Sequence, residues 1–140
     1  MKILVAVDGS RYTKRMLAYL AAHDEWLGAH HRYTVLTVVG PLPERATSVL
    51  DKKIVQSHYA EEAERIFKPI RAFCAKQGVD AEFVSKVGAA GEVIAVKARE
   101  GKYDLLMMGS HGQGALAKLL LGSVTSRVLA NCEVPLLIVR

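Results

Sequence analysis

Cysteine is scarce in this chain, and its two residues, Cys74 and Cys132, stand far apart. Neither belongs to a Cys-x2-Cys pair or a Cys/His cluster, which argues against a zinc site and against a disulfide framework. A reducing cytoplasm is the expected compartment. Long apolar runs are also missing: nothing approaches the roughly 20 residues that a membrane span needs. The opening Met1-Lys-Ile-Leu-Val-Ala-Val-Asp8 is too short and ends too soon in an acid to read as a signal peptide. Block charge is absent as well. The net charge of +5 is spread out, with Lys52-Lys53 and Lys14-Arg15 the densest pairs, so a nucleic-acid-binding face is not expected. No internal repeat, low-complexity tract or second domain is visible, and residues 1–140 read as one domain.

What is there alternates between strand and helix signals. Lys2–Asp8 is rich in Ile and Val and reads as a strand. Ser10 to about Leu27 reads as one helix, with Met16, Leu17, Leu20, Ala21 and Leu27 on its stripe. Tyr33–Val39 is a second strand, stopped by Gly40-Pro-Leu-Pro43, and a polar, irregular stretch follows to about Leu50. In the long segment Asp51–Gln77, Tyr59, Ala63, Ile66, Phe67, Ile70, Phe73 and Cys74 fall on one face of period 3.6. Pro69 inside it predicts a kink, and Gly78 a stop. Val79–Val87, Asp104–Met108 and Pro135–Arg140 read as further strands. Glu92–Glu100 and Gly122–Asn131 read as helices between them. Near-continuous apolar strands joined through helices mean a parallel sheet covered on both faces. Right-handed crossovers make it open and doubly wound. The fold class is therefore α/β, Rossmann-like, with five strands in the order 3-2-1-4-5 expected. That order makes the ends of the first and fourth strands neighbours at the switch point, where such sheets bind ligands.

Those two strand ends carry the chemistry. The first ends in Val7-Asp8-Gly9-Ser10; the fourth runs into Gly109-Ser-His-Gly112, then nine residues, then Gly122-Ser123 at the start of a helix. Glycine lets backbone approach a ligand, and a helix start offers unpaired N–H groups with the positive end of its dipole. Together they describe a phosphate site. It is not a Walker A loop, since no Gly-Lys-Ser/Thr is present, and no GxGxxG follows the first strand. Simpler readings stand beside this one. Gly109 and Gly112 can make only a tight turn, Ser123 can be only an N-cap, and Asp8 can cap backbone amides of the Gly9–Thr13 turn.

The tail Gly109-SHGQGALAKLLLGSVTSRVLANCEVPLLIVR resembles that of the universal stress proteins, the UspA-like family, and so do Ile3-LVAVDGS and Leu36-TVV. The resemblance covers nearly the whole chain and is weakest between Gly40 and Ile54. In that family Gly-x2-Gly-x9-Gly-Ser/Thr marks ATP-binding members, and all four fixed positions match here: Gly109, Gly112, Gly122 and Ser123. The resemblance implies the fold of adenine nucleotide α-hydrolase-like proteins. It also implies that Gly109, Ser110, His111, Gly112, Gln113 and Gly114 wrap ribose and phosphates. Gly122, Ser123, Val124 and Thr125 then give amides to the phosphates, and Ser123 its hydroxyl. Asp8 contacts the nucleoside, Val38 bonds adenine through its backbone, and Ala6, Val7 and Met108 form apolar walls. Gln113 departs from the family, which frequently has arginine there. The resemblance further implies a homodimer built on the strand Leu136–Val139, antiparallel across a two-fold axis.

The remaining candidates read blandly. His111 has no partner nucleophile and reads as a bonding or stacking group rather than a catalyst. His23, His30, His31 and His58 read as surface residues, Arg127 as solvated, Cys132 as packing, and Leu119–Leu121 as buried against neighbouring helices. The expected function is that of a cytoplasmic ATP-binding sensor, with AMP or ADP as alternative ligands and Mg²⁺ able to share the charge. No catalytic residue or dedicated metal ligand stands out. The alternative is a dimeric stress or scaffold protein of the same fold that holds no nucleotide.

Overall fold

The computed structural model describes residues 1–114 and 118–140. Five parallel strands form one sheet in the order β3-β2-β1-β4-β5. They are β1 (Lys2–Ala6), β2 (Arg32–Val39), β3 (Ala81–Val87), β4 (Leu105–Gly109) and β5 (Leu136–Val139). The helices are α1 (Arg11–Ala22), α2 (Asp24–Leu27), α3 (Glu44–Thr47), α4 (Lys52–Gln77), α5 (Ala90–Glu100) and α6 (Ser123–Asn131). The central register pairs Ile3 with Tyr33 on one side and with Leu105 on the other. Alternation along β1 and β4 sends side chains to two cores. Ile3, Val5 and Met107 pack with Met16 of α1 and with Phe67 and Ile70 of α4. Leu4, Ala6, Leu106 and Met108 pack with Ile94 and Ala98 of α5 and Val128 of α6. Period 2 in the strands and period 3.6 in the helices thus meet on both faces of the sheet.

Several boundaries differ from the expectations: β1 ends at Ala6 rather than Asp8, and β3 starts at Ala81 rather than Val79. The first helix is broken at His23, whose backbone leaves the helical region and whose ring bonds the Tyr19 carbonyl at 2.8 Å. A late carbonyl of α1 thereby gains a partner outside the helix ladder. The polar stretch after Pro43 holds the short helix α3. The helix after β3 starts at Ala90, two residues earlier than expected. Helix α4 spans Pro69 and has Asp51 as its N-cap and Gly78 as its C-cap.

At the opposite end of the sheet from the glycine loop, the buried Tyr33 hydroxyl donates to the carbonyl of Leu27 and lies 3.1 Å from that of Gly28. Burial, with a smaller push from Cys74 nearby, raises the Tyr33 pKa to about 12. The folded chain therefore keeps this proton at a pH where the unfolded chain, with an ordinary tyrosine near 10, has released it. Stability from this group is intact below about pH 10 and is lost as pH rises towards 12. Urea midpoints at pH 9 and 11 are expected to fall further for wild type than for Tyr33→Phe. The phenylalanine variant is expected to be about 1 kcal/mol less stable at neutral pH, from the lost hydrogen bond.

Candidate functional site

The site begins where β1 stops. Val7 continues the ladder by donating its amide to the Leu36 carbonyl at 2.9 Å. Asp8 follows, and its carboxylate is tied on both oxygens. Oδ1 accepts from the Ser10 amide at 2.9 Å and the Thr13 hydroxyl at 3.1 Å; Oδ2 accepts from the Gln113 amide at 3.1 Å. The Gln113 side-chain amide donates to the Asp8 carbonyl at 2.9 Å. A carboxylate ending a buried strand needs such donors. The capping reading of Asp8 is thus seen directly, and the same side chain also latches the glycine loop to the end of β1. Gly9 turns the chain with φ +77°, a conformation that favours glycine. Ser10 caps α1 by accepting from the Tyr12 amide.

The three motif glycines sit against the chain's own atoms. A Cβ on Gly109 would come within 2.6 Å of Tyr12 Cβ, and one on Gly112 within 2.7 Å of Asp8 Oδ2. On Gly122 it would lie 3.0 Å from His111 Cα. The Gly122 amide donates to the Ser110 carbonyl at 2.8 Å, so the loop and the start of α6 are bonded together. Gly122, not Ser123, is the N-cap; Ser123 is the exposed first residue of the helix. The amides of Ser123, Val124 and Thr125 lie in the first turn, which has no intrahelical acceptors. The Thr125 hydroxyl donates to the Gly109 carbonyl at 3.0 Å.

His111 is a strap. The Leu119 carbonyl can only accept, so Nε2 carries the hydrogen in their 2.8 Å bond; in the neutral ring Nδ1 then accepts from the Ser110 hydroxyl. Its ring packs at 5.1 Å on Tyr12. These contacts hold the loop, and the Ser110 hydroxyl on the ring is buried beneath it rather than turned to solvent.

Above the carboxyl ends of β1, β2 and β4 lies an open cleft of about 590 Å³. Asp8, Val38, His111, Gly112, Gln113, Gly114, Gly122, Ser123 and Val124 line it. A narrower apolar recess of about 80 Å³ adjoins it, with Ala6, Val7, Met108, Gly109 and Thr125 in its wall. Asp8, Val38, His111, Gly112 and Val124 line both spaces. Ser110 is the exception among the expected site residues. It is buried beneath the loop and supports it through its bonds to His111, Gly122 and the Val139 carbonyl.

The cleft also has residues that sequence reasoning passed over. Glu62, Arg65 and Ile66 of α4 face it, with Thr37, Val39 and Gly40 at the end of β2. Their only signal was a polar Glu/Arg pair three residues apart on the long helix, indistinguishable from a solvated face. Leu119 and Leu120 correct another expectation. They are exposed rather than buried against helices, because they lie before α6 in no regular element, and Leu119 is at the cleft rim. Of the histidines outside the loop, His30 is exposed, while His23, His31 and His58 are half-buried. Arg127 is exposed and pairs with Glu92 across α5 and α6 at 3.1 Å. Among the described residues no His/Cys/Asp/Glu group could hold a metal ion, and no described helix is long and apolar enough to cross a membrane.

A five-stranded parallel sheet in this order, with a glycine loop and a helix start at its switch point, defines a Rossmann-like α/β protein with an open crevice there. The model of the universal stress protein family matches residues 1–140, and the chain belongs to that family. A universal stress protein of Thermus aquaticus, from the QAH/OAS sulfhydrylase 3' region, is 32% identical over 138 residues, covering 99% of this chain and 97% of that one. Among solved structures, protein MJ0577 of Methanocaldococcus jannaschii superposes with a TM-score of 0.80 at 25% identity, over 99% of this chain and 94% of the other. A universal stress protein in complex with cAMP superposes with a TM-score of 0.66 at 24% identity, over 100% and 96%.

Proposed function

We propose that this chain is an adenine-nucleotide-binding universal stress protein, with ATP as its ligand and ADP or AMP as alternatives. The observation that carries the reading is the cleft at the switch point, open beside the first-turn amides of α6 and walled by the glycine loop. Backbone amides at a helix start attract phosphate, and the apolar recess of Ala6, Val7, Val38 and Met108 suits a base. Relatives of the same fold add weight: members of the family have been solved with cAMP, AMP and dAMP.

In this reading Gly109–Gly114 wrap ribose and phosphates, and Gly122–Thr125 supply amides. Val38 meets adenine through its backbone, and Asp8 holds the loop while meeting the nucleoside. Mg²⁺ has no built site among the described residues. Both Asp8 oxygens already have partners within the chain, and Glu62 is the one other carboxylate among the described lining residues, so the ion would arrive shared with the phosphates. The protein acts as a sensor rather than an efficient ATPase. Among the described cleft residues, Asp8, Gln113, His111 and Glu62 are each bonded within the chain, and this reading gives none of them the task of orienting a water at a γ-phosphate. Bound nucleotide biases one conformation or partner only through unequal affinity for two states. The working form is a cytoplasmic homodimer through β5, whose Leu136–Val139 edge carries no charge to block pairing.

The test is thermal and chemical unfolding with nucleotide. ATP at 100 times its dissociation constant is expected to add about 2.7 kcal/mol of stability. The alternative, a scaffold of the same fold without nucleotide, draws on the close contacts that explain each motif glycine without a ligand. An unchanged midpoint with AMP, ADP and ATP would favour it.

A further inference from the structure

Resting on the adenine-nucleotide reading, a second observation concerns where the phosphate chain ends. Among the described residues lining the cleft, Arg65 is the one lysine or arginine, against two carboxylates, Asp8 and Glu62. Asp8 is occupied by the amides of Ser10 and Gln113 and the Thr13 hydroxyl. Gln113 turns its own side chain back to the Asp8 carbonyl. Among the described residues of the glycine loop, no lysine or arginine lines the cleft; Lys118 of the same loop is exposed outside the lining, and the His111 ring is held by Ser110 and Leu119.

Helix α4 brings one from the other wall. Ile66 approaches the Gly9 turn close to Gln113, and a Cβ on Gly9 would meet Ile66 Cγ1 at 3.4 Å and Gln113 Nε2 at 3.9 Å. The neighbouring Arg65 is thereby anchored beside the loop, with its side chain exposed. Its Nη2 bonds Glu62 Oε2 at 2.8 Å, but the two side chains are 68% and 38% exposed. An i,i+3 pair so exposed is weakly held, because water screens it and both long side chains lose freedom in making it. A phosphate is a stronger partner for a guanidinium, since it accepts two parallel N–H bonds and carries more charge than a carboxylate.

We propose that Arg65 exchanges Glu62 for the terminal phosphates of a nucleoside di- or triphosphate, and so makes this cleft prefer polyphosphates to a monophosphate. The amides of α6 and the glycine loop carry no net charge, so they distinguish a polyphosphate from a monophosphate less than a guanidinium does. Glu62 acts against occupation twice, by holding Arg65 and by repelling phosphate. It sets how much of the arginine's attraction is available.

Titration calorimetry of wild type, Arg65→Gln and Glu62→Gln with AMP and with ATP tests this. Arg65→Gln is expected to weaken ATP about tenfold and AMP less than about twofold. Glu62→Gln is expected to strengthen ATP several-fold, and added salt to narrow the gap between wild type and Arg65→Gln. Equal ATP affinity in wild type and Arg65→Gln, or equal loss for AMP and ATP, overturns the proposal and leaves nucleotide binding standing. So does a Glu62→Gln protein that binds ATP as wild type does. A wild type that binds neither nucleotide overturns the reading beneath it.

Discussion

Gly122→Val is expected to abolish adenine-nucleotide binding and to lower stability by about 1–3 kcal/mol. The first Cβ atom would already sit 3.0 Å from His111 Cα and 3.4 Å from the Ser110 carbonyl oxygen. Those are backbone atoms that cannot rotate aside, and valine adds two methyls in fixed rotamers. Relief requires the Ser110–Gly112 backbone to move away from the start of α6, and the 2.8 Å bond from the Gly122 amide to the Ser110 carbonyl opens with it. The loop and the first-turn amides then no longer converge on one phosphate. A valine side chain at the start of α6 also fills the space a phosphate would take. The structure puts the chain's own loop in its way first, so affinity and stability fall together. Stability remains positive, since a domain of this size holds about 5–15 kcal/mol. Calorimetry with ATP and urea unfolding of the same preparation measure both effects. Gly122→Ala, with only the Cβ, is expected to be intermediate in each.

Asp8→Ala is expected to cost about 2–3 kcal/mol, well above an ordinary surface carboxylate. The loss leaves the Ser10 amide and the Thr13 hydroxyl without their acceptor in a half-buried place, and turns the exposed Gln113 amide over to water. It also severs one of the two bonds by which the glycine loop is held to β1, leaving the Gln113 side chain on the Asp8 carbonyl. Nucleotide affinity is expected to fall less than in Gly122→Val, because the α6 amides stay in place. Asp8→Asn separates charge from geometry. Its Oδ1 can still accept from Ser10, but its amide nitrogen faces the Gln113 donor, so it is expected to recover only part of the stability. Denaturation midpoints of the three proteins at neutral pH decide this; equal stability of Asp8→Ala and wild type would show the latch to be idle.

The legible parts of the molecule are those whose signals are local. Apolar β-branched runs mark the strands, and the Tyr59–Cys74 stripe marks the inward face of α4, where Ala63, Phe67, Ile70 and Cys74 are buried. The spacing of Gly109, Gly112, Gly122 and Ser123 marked the loop and the helix start, and fourteen of the fifteen expected site residues line the cleft or its recess. Ser110 does not, because a serine in such a loop can face either way and nothing local says which. The break at His23 was hidden because Asp24–Leu27 keeps the helical pattern; only the backbone at one residue departs. Leu119 and Leu120 were misjudged because leucines in a row look the same whether they enter a core or rim an opening.

The chain's order of residues determined its alternating elements, its parallel sheet and the glycine-bordered crevice, since each depends on periodicity, on missing side chains or on helix-end amides. Tertiary structure alone decided which distant groups meet there. Asp8 and Gln113 are 105 positions apart, and Arg65 reaches the crevice only because α4 packs its apolar face on β2 and β3 and turns its Glu62–Arg65 edge toward the loop. Packing chooses such neighbours through the shape of the whole core, and no short stretch of sequence carries that shape.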